Sequence, residues 1–246
     1  MTARTKTPSQ NRLERLYFRA LELICSSTEP RLSLHEFADE CGTVAPHQAW
    51  ADIKRLDINA DLAHHERWIR SIFEKEPPPS TVNGLWFGIS DPFVGVGYEL
   101  YLCGSSRYDV PDVEFDWAAL PDYQPRGSYS QSEVFHALWK PARQGELPYQ
   151  LVDDAVPLLY AGLVVNWLAD RLPLTLLASA GSRAIAAGHD EGDPFLLGTV
   201  DSTGYHKTPY TEALEALKAR EQRIERFTSG LERRESTTLG KKRNRN

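Results

Sequence analysis

Apolar residues recur at helical spacing near the start of the chain. In Arg12–Ile24 they share one face, as in an amphipathic helix: Leu13, Leu16, Tyr17, Ala20, Leu21 and Ile24. A second, short helix is predicted over Leu34–Cys41. Ser33 is its expected N-cap, because a serine hydroxyl can accept hydrogen bonds from the free amides of the first turn, and Gly42 is its expected end.

Two further helices are predicted over residues 46–56 and 60–74 from the same spacing. Three consecutive prolines, Pro77 to Pro79, then stop the helical pattern, because proline has no N–H to donate. We therefore expect residues 1–80 to form a helical N-terminal region.

After the prolines, short aromatic and β-branched runs separated by glycines replace the helical spacing. The runs at 84–89 and 96–102 predict two antiparallel strands joined by a turn over 91–95. The runs at 183–187 and 195–200 predict a second hairpin, since the residues between them are rich in Asp and Gly.

Two helices are predicted between these hairpins. The first covers residues 131–142 with Ser130 as its N-cap, and the second, Val152–Leu172, is strongly apolar. A last, mostly charged helix is predicted over residues 211–231.

The expected fold class is α+β, with an antiparallel sheet packed by helices. The expected parts are a helical N-terminal region (1–80), an α+β domain (81–206), and a charged C-terminal helix with a basic tail (207–246).

Charge is distributed unevenly over the 246 residues, whose net charge is −6. The first 19 residues carry +4 and the last 40 carry +5, so the body between them carries −15. An acidic body is typical of proteins that bind a cationic protein, or that are simply soluble, and it disfavours nucleic acid as a partner. With 41% hydrophobic residues, the chain can bury a sizeable core.

The sequence indicates a soluble cytoplasmic protein. Its N-terminus is polar and basic, unlike a secretory signal, and its longest apolar stretch, residues 155–168, is interrupted by a proline and an asparagine. We expect no membrane partner. An odd number of cysteines without paired spacing favours reduced thiols over disulfides or a zinc site: Cys25, Cys41 and Cys103.

The sequence contains no recognisable catalytic or cofactor motif. It has neither the Gly-x-Ser-x-Gly turn of a hydrolase nucleophile nor a phosphate-binding Gly-x-x-x-x-Gly-Lys-Ser/Thr loop. Gly95 and Gly97 lack the third glycine of a dinucleotide fingerprint. His64 and His65 are adjacent, so on a helix they point about 100° apart and cannot chelate one metal together. We expect a protein that is not an enzyme and binds no cofactor or metal.

Two other functions remain open from the sequence. The turn at residues 189–193 collects a histidine and three carboxylates, which suits a general base of an orphan enzyme, although solvated turns favour the same residues. Residues 34–56 have the spacing of a helix-turn-helix in a DNA-binding regulator, with Lys54 and Arg55 late in the second helix. Its candidate reading face is not basic, so neutralisation of phosphates would be weak.

The most distinctive segment is acidic and aromatic and covers residues 109–123, here called the acidic segment. It has five carboxylates and no lysine or arginine. Carboxylates around aromatic anchors can steer a cationic partner and then bind it by burying the rings. The alternative is that the aromatic side chains fill the core while the acids face solvent.

The stretch from about 84 to 198 resembles bacterial immunity partners of polymorphic toxins. The similarity lies in Gly84-Leu-Trp-Phe-Gly88, in Tyr101-Leu-Cys-Gly-Ser105 followed by Arg107-Tyr-Asp109, and in Gly188-His-Asp-Glu-Gly-Asp-Pro-Phe-Leu-Leu-Gly198. The resemblance implies a protein that binds its cognate toxin tightly, often with an acidic surface over a basic active site.

We therefore expect an immunity-type protein that neutralises a cationic toxin, such as a nuclease, by occlusion. The expected partner-binding residues lie in the acidic segment and in the 190–193 turn: Asp109, Asp112, Glu114, Asp116, Trp117, Asp122, Tyr123, Asp190, Glu191 and Asp193.

Overall fold

The structure is a computed structural model that describes residues 8–26, 29–90, 97–108, 120–172, 181–190, 195–219 and 222. Across these ranges the chain is an α+β protein in which helices pack on a six-stranded sheet. The N-terminal region is helical. The predicted fold class is therefore confirmed.

Four helices form the N-terminal region within the described ranges: α1 (Pro8–Ser26), α2 (Pro30–Val44), α3 (Gln48–Ile53) and α4 (Ile58–Lys75). Each overlaps a predicted helix. The largest difference is in α2, which is longer at both ends than the pattern of apolar residues indicated.

The predicted ends of α2 were wrong at both Ser33 and Gly42. Glu29 is the N-cap, and its carboxylate accepts from the Leu32 N–H at 2.7 Å. Pro30 follows at the first helical position, where a missing N–H costs nothing. At the other end, the Ala45 N–H reaches the Cys41 carbonyl at 2.8 Å and carries the helix past Gly42.

Within the described residues, six strands form one sheet in the order β3-β2-β1-β4-β5-β6. The strands of both predicted hairpins pair antiparallel, β1 with β2 and β4 with β5, whereas the predicted turn at 91–95 and residues 191–193 lie outside the described residues. The edge strands β3 and β6 were not predicted, because three and four residues are too few to show an alternating pattern. The strands are β1 (Gly84–Ile89), β2 (Glu99–Ser105), β3 (Tyr129–Gln131), β4 (Arg183–His189), β5 (Phe195–Asp201) and β6 (Gly204–Lys207).

The two central strands, β1 and β4, are parallel, so the sheet is mixed and not antiparallel throughout. Parallel strands require a long crossover, and here the chain passes through two helices between β3 and β4. Every residue of β1 is buried, as are the first six of β4. Burial on both faces explains why these strands have continuous apolar runs.

The helix after β3, α5 (Glu133–Arg143), is capped by Ser132 and not by Ser130. The Ser132 hydroxyl accepts from the amides of Val134 and Phe135, at 3.1 and 3.4 Å. Ser130 lies in β3 and is buried. The predicted cap was therefore two residues early.

The predicted helix over Val152–Leu172 begins with a π-helical turn, Gln150–Ala155, and continues as α6 (Val156–Arg171). Pro157 gives a physical reason for the turn. It has no N–H to donate to the carbonyl four residues back, and its ring crowds that carbonyl. The wider turn, with a hydrogen bond from the Val156 N–H to the Leu151 carbonyl, accommodates the proline.

The helical stretch Gln150–Arg171 is long and apolar enough to cross a membrane. However, 83% of its apolar window is buried inside the protein, which is the arrangement of the core helix of a soluble protein.

One hydrophobic cluster joins the N-terminal helices, α6 and the helix-facing side of the sheet. Gly162 allows α6 to approach Ile24 of α1 closely, and the Asn166 side-chain amide donates to the Ile24 carbonyl at 2.8 Å. Residues 211–219 and 222, the described part of the predicted C-terminal helix, are helical, and Leu217 is buried in the same cluster. The core is thus continuous across residue 80, and the three-part division stays a prediction.

We predict that Gly162→Ala lowers the free energy of unfolding by about 1–3 kcal/mol, although alanine favours helix more than glycine does. An added Cβ would lie 2.8 Å from two Ile24 side-chain carbons, so either the Ile24 side chain would have to leave its packed position or α1 and α6 would have to separate. Urea denaturation measures the change.

Gly181→Ala is the matched control, since nothing lies within 4 Å of a Cβ at that position. It should change stability by less than about 0.5 kcal/mol. Equal effects of the two substitutions would contradict close packing of α1 on α6.

Candidate functional site

One face of α4 binds the segment of residues 123–133, which runs antiparallel to the helix and leads from the acidic segment into α5. The contacting residues of α4 and its C-cap share one helical face, since their spacing is i, i+4, i+7 and i+15: Asp61, His65, Trp68 and Glu76. Each of them makes a hydrogen bond to the segment.

The C-terminal half of α4 fixes the beginning of this segment. The Tyr123 hydroxyl donates to the Glu76 carbonyl at 2.8 Å, and the Glu76 carboxylate accepts from the Arg126 N–H at 3.3 Å. About two helical turns before Glu76, the Trp68 indole N–H donates to the Gly127 carbonyl at 3.0 Å. Gly127 has a φ of +68°, a backbone conformation that glycine adopts without steric cost.

The N-terminal half of α4 contributes a buried carboxylate, Asp61, which is 6% exposed. It accepts from the Ser132 hydroxyl at 2.7 Å, from the Glu133 N–H at 3.1 Å and from the Tyr160 hydroxyl at 2.5 Å. Burial, and then the neighbouring carboxylate, raise the pKa of Tyr160, so its hydroxyl stays protonated and donates. Asp61 therefore connects α4 to the N-terminus of α5 and to α6.

His65 lies one turn after Asp61 and is completely buried. Its Nδ1 is 2.9 Å from the Ser130 hydroxyl oxygen, whereas its Nε2 has no hydrogen-bond partner. Burial lowers the pKa of His65 to about 4; Asp61 acts in the opposite direction and His64 adds to the lowering. His65 is therefore neutral at physiological pH, although Asp61 Oδ2 lies 3.8 Å from Nε2.

Both ends of the acidic segment are attached to the sheet at the same place. Tyr123 and Gly104 exchange two backbone hydrogen bonds, of 2.8 and 3.0 Å. The Asp122 carboxylate accepts from the Ser106 amide and hydroxyl. On the other side, the Asn83 side chain makes two hydrogen bonds to the backbone of Tyr108. These contacts bring together the two flanks of the acidic segment beside the end of β2. We call this group of residues the closed base of the segment: Asn83, Gly104, Ser106, Tyr108, Asp122 and Tyr123.

Two predicted partner-binding residues of this segment lie in that base. Asp122 is exposed, but its oxygens are already engaged by Ser106. Tyr123 is only 7% exposed and its ring belongs to the core, so it fits the alternative in which an aromatic residue is structural. The other residues predicted there lie outside the described residues: Asp109, Asp112, Glu114, Asp116 and Trp117.

Asp190 is exposed and directly follows the last residue of β4. Its carboxylate is hydrogen-bonded to the hydroxyl of Tyr101, which also accepts from the Trp86 indole at 3.0 Å. Burial, and then Asp190, raise the pKa of Tyr101. The remaining predicted residues of this turn, Glu191 and Asp193, lie outside the described part of the chain.

The acidic segment and the 190–193 turn are attached at opposite ends of the central strands. Ser105 is paired with Gly84 at the start of β1, whereas His189 is paired with Ile89 at its end. Five residues of β-strand separate these positions by about 17 Å. The two predicted acidic surfaces are therefore attached to the sheet at different places.

The cations of the helix-turn-helix alternative are paired with carboxylates of their own region. Lys54 Nζ lies 2.6 Å from Asp39, and the Arg55 guanidinium lies 2.9 Å from Asp52. His47, on the candidate reading face, caps α3 with its Nδ1 and contacts Glu146 with its Nε2 at 3.2 Å. Among the described side chains, no three His, Cys, Asp or Glu residues are arranged to bind a metal ion.

The sequence analysis did not find the contacts of α4 with the 123–133 segment. Asp61, His65 and Trp68 follow i, i+4, i+7 spacing, the spacing of a buried face, and a polar pair on such a face was a usable signal. Their partners, at 127–133, could not be inferred, because nothing in the local sequence links positions about 60–70 residues apart.

In the part of the chain that the structure describes, the fold is an α+β fold with a six-stranded mixed sheet, to which the flanks of the acidic segment are attached. No protein-family model, curated protein or solved structure matches the chain.

We predict that Asp61→Asn lowers the free energy of unfolding by about 2–4 kcal/mol. The asparagine NH₂ would face at least one of three hydrogen-bond donors that now converge on the carboxylate. Denaturation in urea at pH 7 measures this.

Asp57→Asn is the matched control on the same helix. Asp57 is the exposed N-cap of α4, and asparagine caps helices about as well as aspartate does. A loss in Asp57→Asn as large as in Asp61→Asn would contradict a special role for the buried carboxylate.

We predict that stability falls as the pH is lowered from about 6.5 toward 4, in part because of His65. In the unfolded chain the His65 imidazole binds a proton below about pH 6.5, whereas in the folded protein it does so only near pH 4. Between these values the unfolded chain therefore holds one more proton, and lowering the pH favours it. This histidine alone contributes a slope of up to about 1.4 kcal/mol per pH unit in that window.

Urea denaturation of His65→Gln between pH 4 and 7 tests this, because glutamine does not titrate and can still reach Ser130. The slope of stability against pH should be smaller than in the wild type. His64→Gln, at the exposed neighbouring position, is the control. Identical slopes in wild type and His65→Gln would show that the prediction is wrong.

Proposed function

We propose that this protein is a cytoplasmic, immunity-type inhibitor that binds a cationic bacterial toxin, such as a nuclease, and neutralises it by occlusion. The observation that carries the proposal is the closed base of the acidic segment. Hydrogen bonds of Asp122 to Ser106 and of Tyr123 to Gly104 attach one end, and those of Tyr108 to Asn83 attach the other.

The charge of the segment supports a cationic partner. Its five carboxylates have no lysine or arginine among them, and the surrounding body carries −15. Such a concentration of one sign of charge accelerates association with an oppositely charged protein and disfavours partners of like charge. The active sites of nucleases that bind phosphate backbones have the complementary charge.

Attachment of both ends reduces the entropy that the acidic segment loses when a partner binds. Ordering a chain costs about 1–2 kcal/mol per residue, so each position already fixed in the free protein increases affinity. The contacts of Glu76 with Tyr123 and Arg126 extend this fixed base into the core. Tight inhibition by a short segment depends on this kind of preorganisation.

The 190–193 turn is the proposed second contact for the same partner. A standard interface covers about 800 Å² on each protein, a patch roughly 30 Å across. The points at which the acidic segment and the 190–193 turn are attached to the sheet are about 17 Å apart along β1. One toxin can therefore reach both, with Asp190 at the far end of the interface.

We predict that the protein co-elutes with the product of the neighbouring gene when both are expressed, and that it abolishes the toxicity of that product.

Reversing three charges with Asp112→Lys, Glu114→Lys and Asp116→Lys should weaken binding at least about 100-fold, because buried or central charge pairs are worth several kcal/mol together. Affinity measured at two salt concentrations and survival of the host give the two readouts.

The matched control carries the same charge change elsewhere, with Glu74→Lys, Glu212→Lys and Glu215→Lys at exposed helical positions. It should bind and protect like the wild type. If both triple variants lose protection equally, net charge and not the acidic segment is responsible. If neither loses it, the assignment of the segment is wrong.

A further inference from the structure

A cleft of about 210 Å³ lies between the second half of α4 and the turn at residues 126–127. It adjoins the base of the acidic segment, because Glu76, on its rim, accepts the hydrogen bond of Tyr123. Pockets for drug-sized ligands are about 300–1,000 Å³. This cleft is therefore large enough for a single small ring or a comparably small molecule.

The apolar part of the lining is held in a fixed position. The Trp68 indole donates to the Gly127 carbonyl at 3.0 Å, and its ring packs edge-on against His65 with 6.3 Å between ring centroids. Ile72 is 5% exposed and belongs to the core. A flat apolar group can bury its surface on such a lining without reordering it.

The rim carries two cations and one carboxylate. Lys75 Nζ donates to the Ser71 hydroxyl at 2.9 Å, and the Arg126 guanidinium makes no ion pair or hydrogen bond with a described residue. The carboxylate of Glu76 already accepts from the Arg126 N–H. The excess of one positive charge matches a monoanion better than a phosphate dianion, and it is unusual in a body that carries −15.

We propose that this cleft binds a small aromatic or flat apolar carboxylate, with its ring against Trp68 and its carboxylate paired with Arg126 and Lys75. Arginine suits this role, because its guanidinium can make two parallel hydrogen bonds to a carboxylate. The proposal is independent of toxin binding, since it uses neither the acidic segment nor the 190–193 turn.

Benzoate is the probe, and the ¹H–¹⁵N signal of the Trp68 indole, assigned with Trp68→Phe, is the readout on the full-length protein. Benzoate should shift this signal saturably, with a dissociation constant on the order of 1 mM. Benzamide, which has the same shape without the charge, and inorganic phosphate should each bind about tenfold more weakly or not at all. Equal binding of benzamide would overturn the charge-based assignment, and stronger binding of phosphate would overturn the choice of a carboxylate.

Arg126→Gln should weaken benzoate binding about tenfold, because it removes a charged hydrogen-bond donor. Arg126 is exposed, so the fold is expected to be unaffected. Arg31→Gln, at an exposed position on α2, is the control and should bind benzoate like the wild type. The absence of a saturable shift in the wild type, or the same affinity in Arg126→Gln, would overturn the proposal.

Discussion

A carboxylate removed from water must find hydrogen-bond donors inside the protein, and the arrangement of this fold around Asp61 follows from that requirement. Its donors come from the Ser132 hydroxyl, the Glu133 amide and the Tyr160 hydroxyl. An unpaired buried charge costs several kcal/mol, so these elements are held at fixed separations. Ser132 directly follows β3, so these contacts fix the end of that strand, while His65 binds Ser130 within it.

Local patterns in the sequence predicted the helices and both hairpins, because these depend on neighbouring residues. The errors at the N-cap of α5 and in the pairing of the central strands arose where a distant partner decided the outcome. Ser132 caps α5 in place of Ser130, because its hydroxyl oxygen accepts a hydrogen bond from the first turn of the helix while the hydroxyl proton is donated to Asp61. Asp61 lies 71 residues earlier in the chain. The parallel pairing of β1 with β4 likewise depends on a crossover of almost 100 residues, and hairpin signals contain no information about it.

The candidate site was predictable in composition and not in geometry. The concentration of carboxylates in the acidic segment is a property of the sequence, whereas the attachment of its ends to β2 and α4 is a property of the fold. Tyr123 illustrates the difference. An aromatic residue beside acids suits either an interface or a core, and only its contacts with Glu76 and Gly104 place it in the core. Asp122, chosen for its charge, also serves to close the base.

The shortness of the outer strands has a consequence for self-association. A long, flat edge strand exposes unpaired amides and carbonyls that another copy can extend into a continuous ribbon. Among the strands that the structure describes, the outermost are β3 and β6, of three and four residues. Such short edges offer few successive backbone groups to a second chain, and β3 is followed at once by the capped α5. The short edges therefore limit the pairing of one copy with another through the sheet, although its central strands are buried and largely apolar.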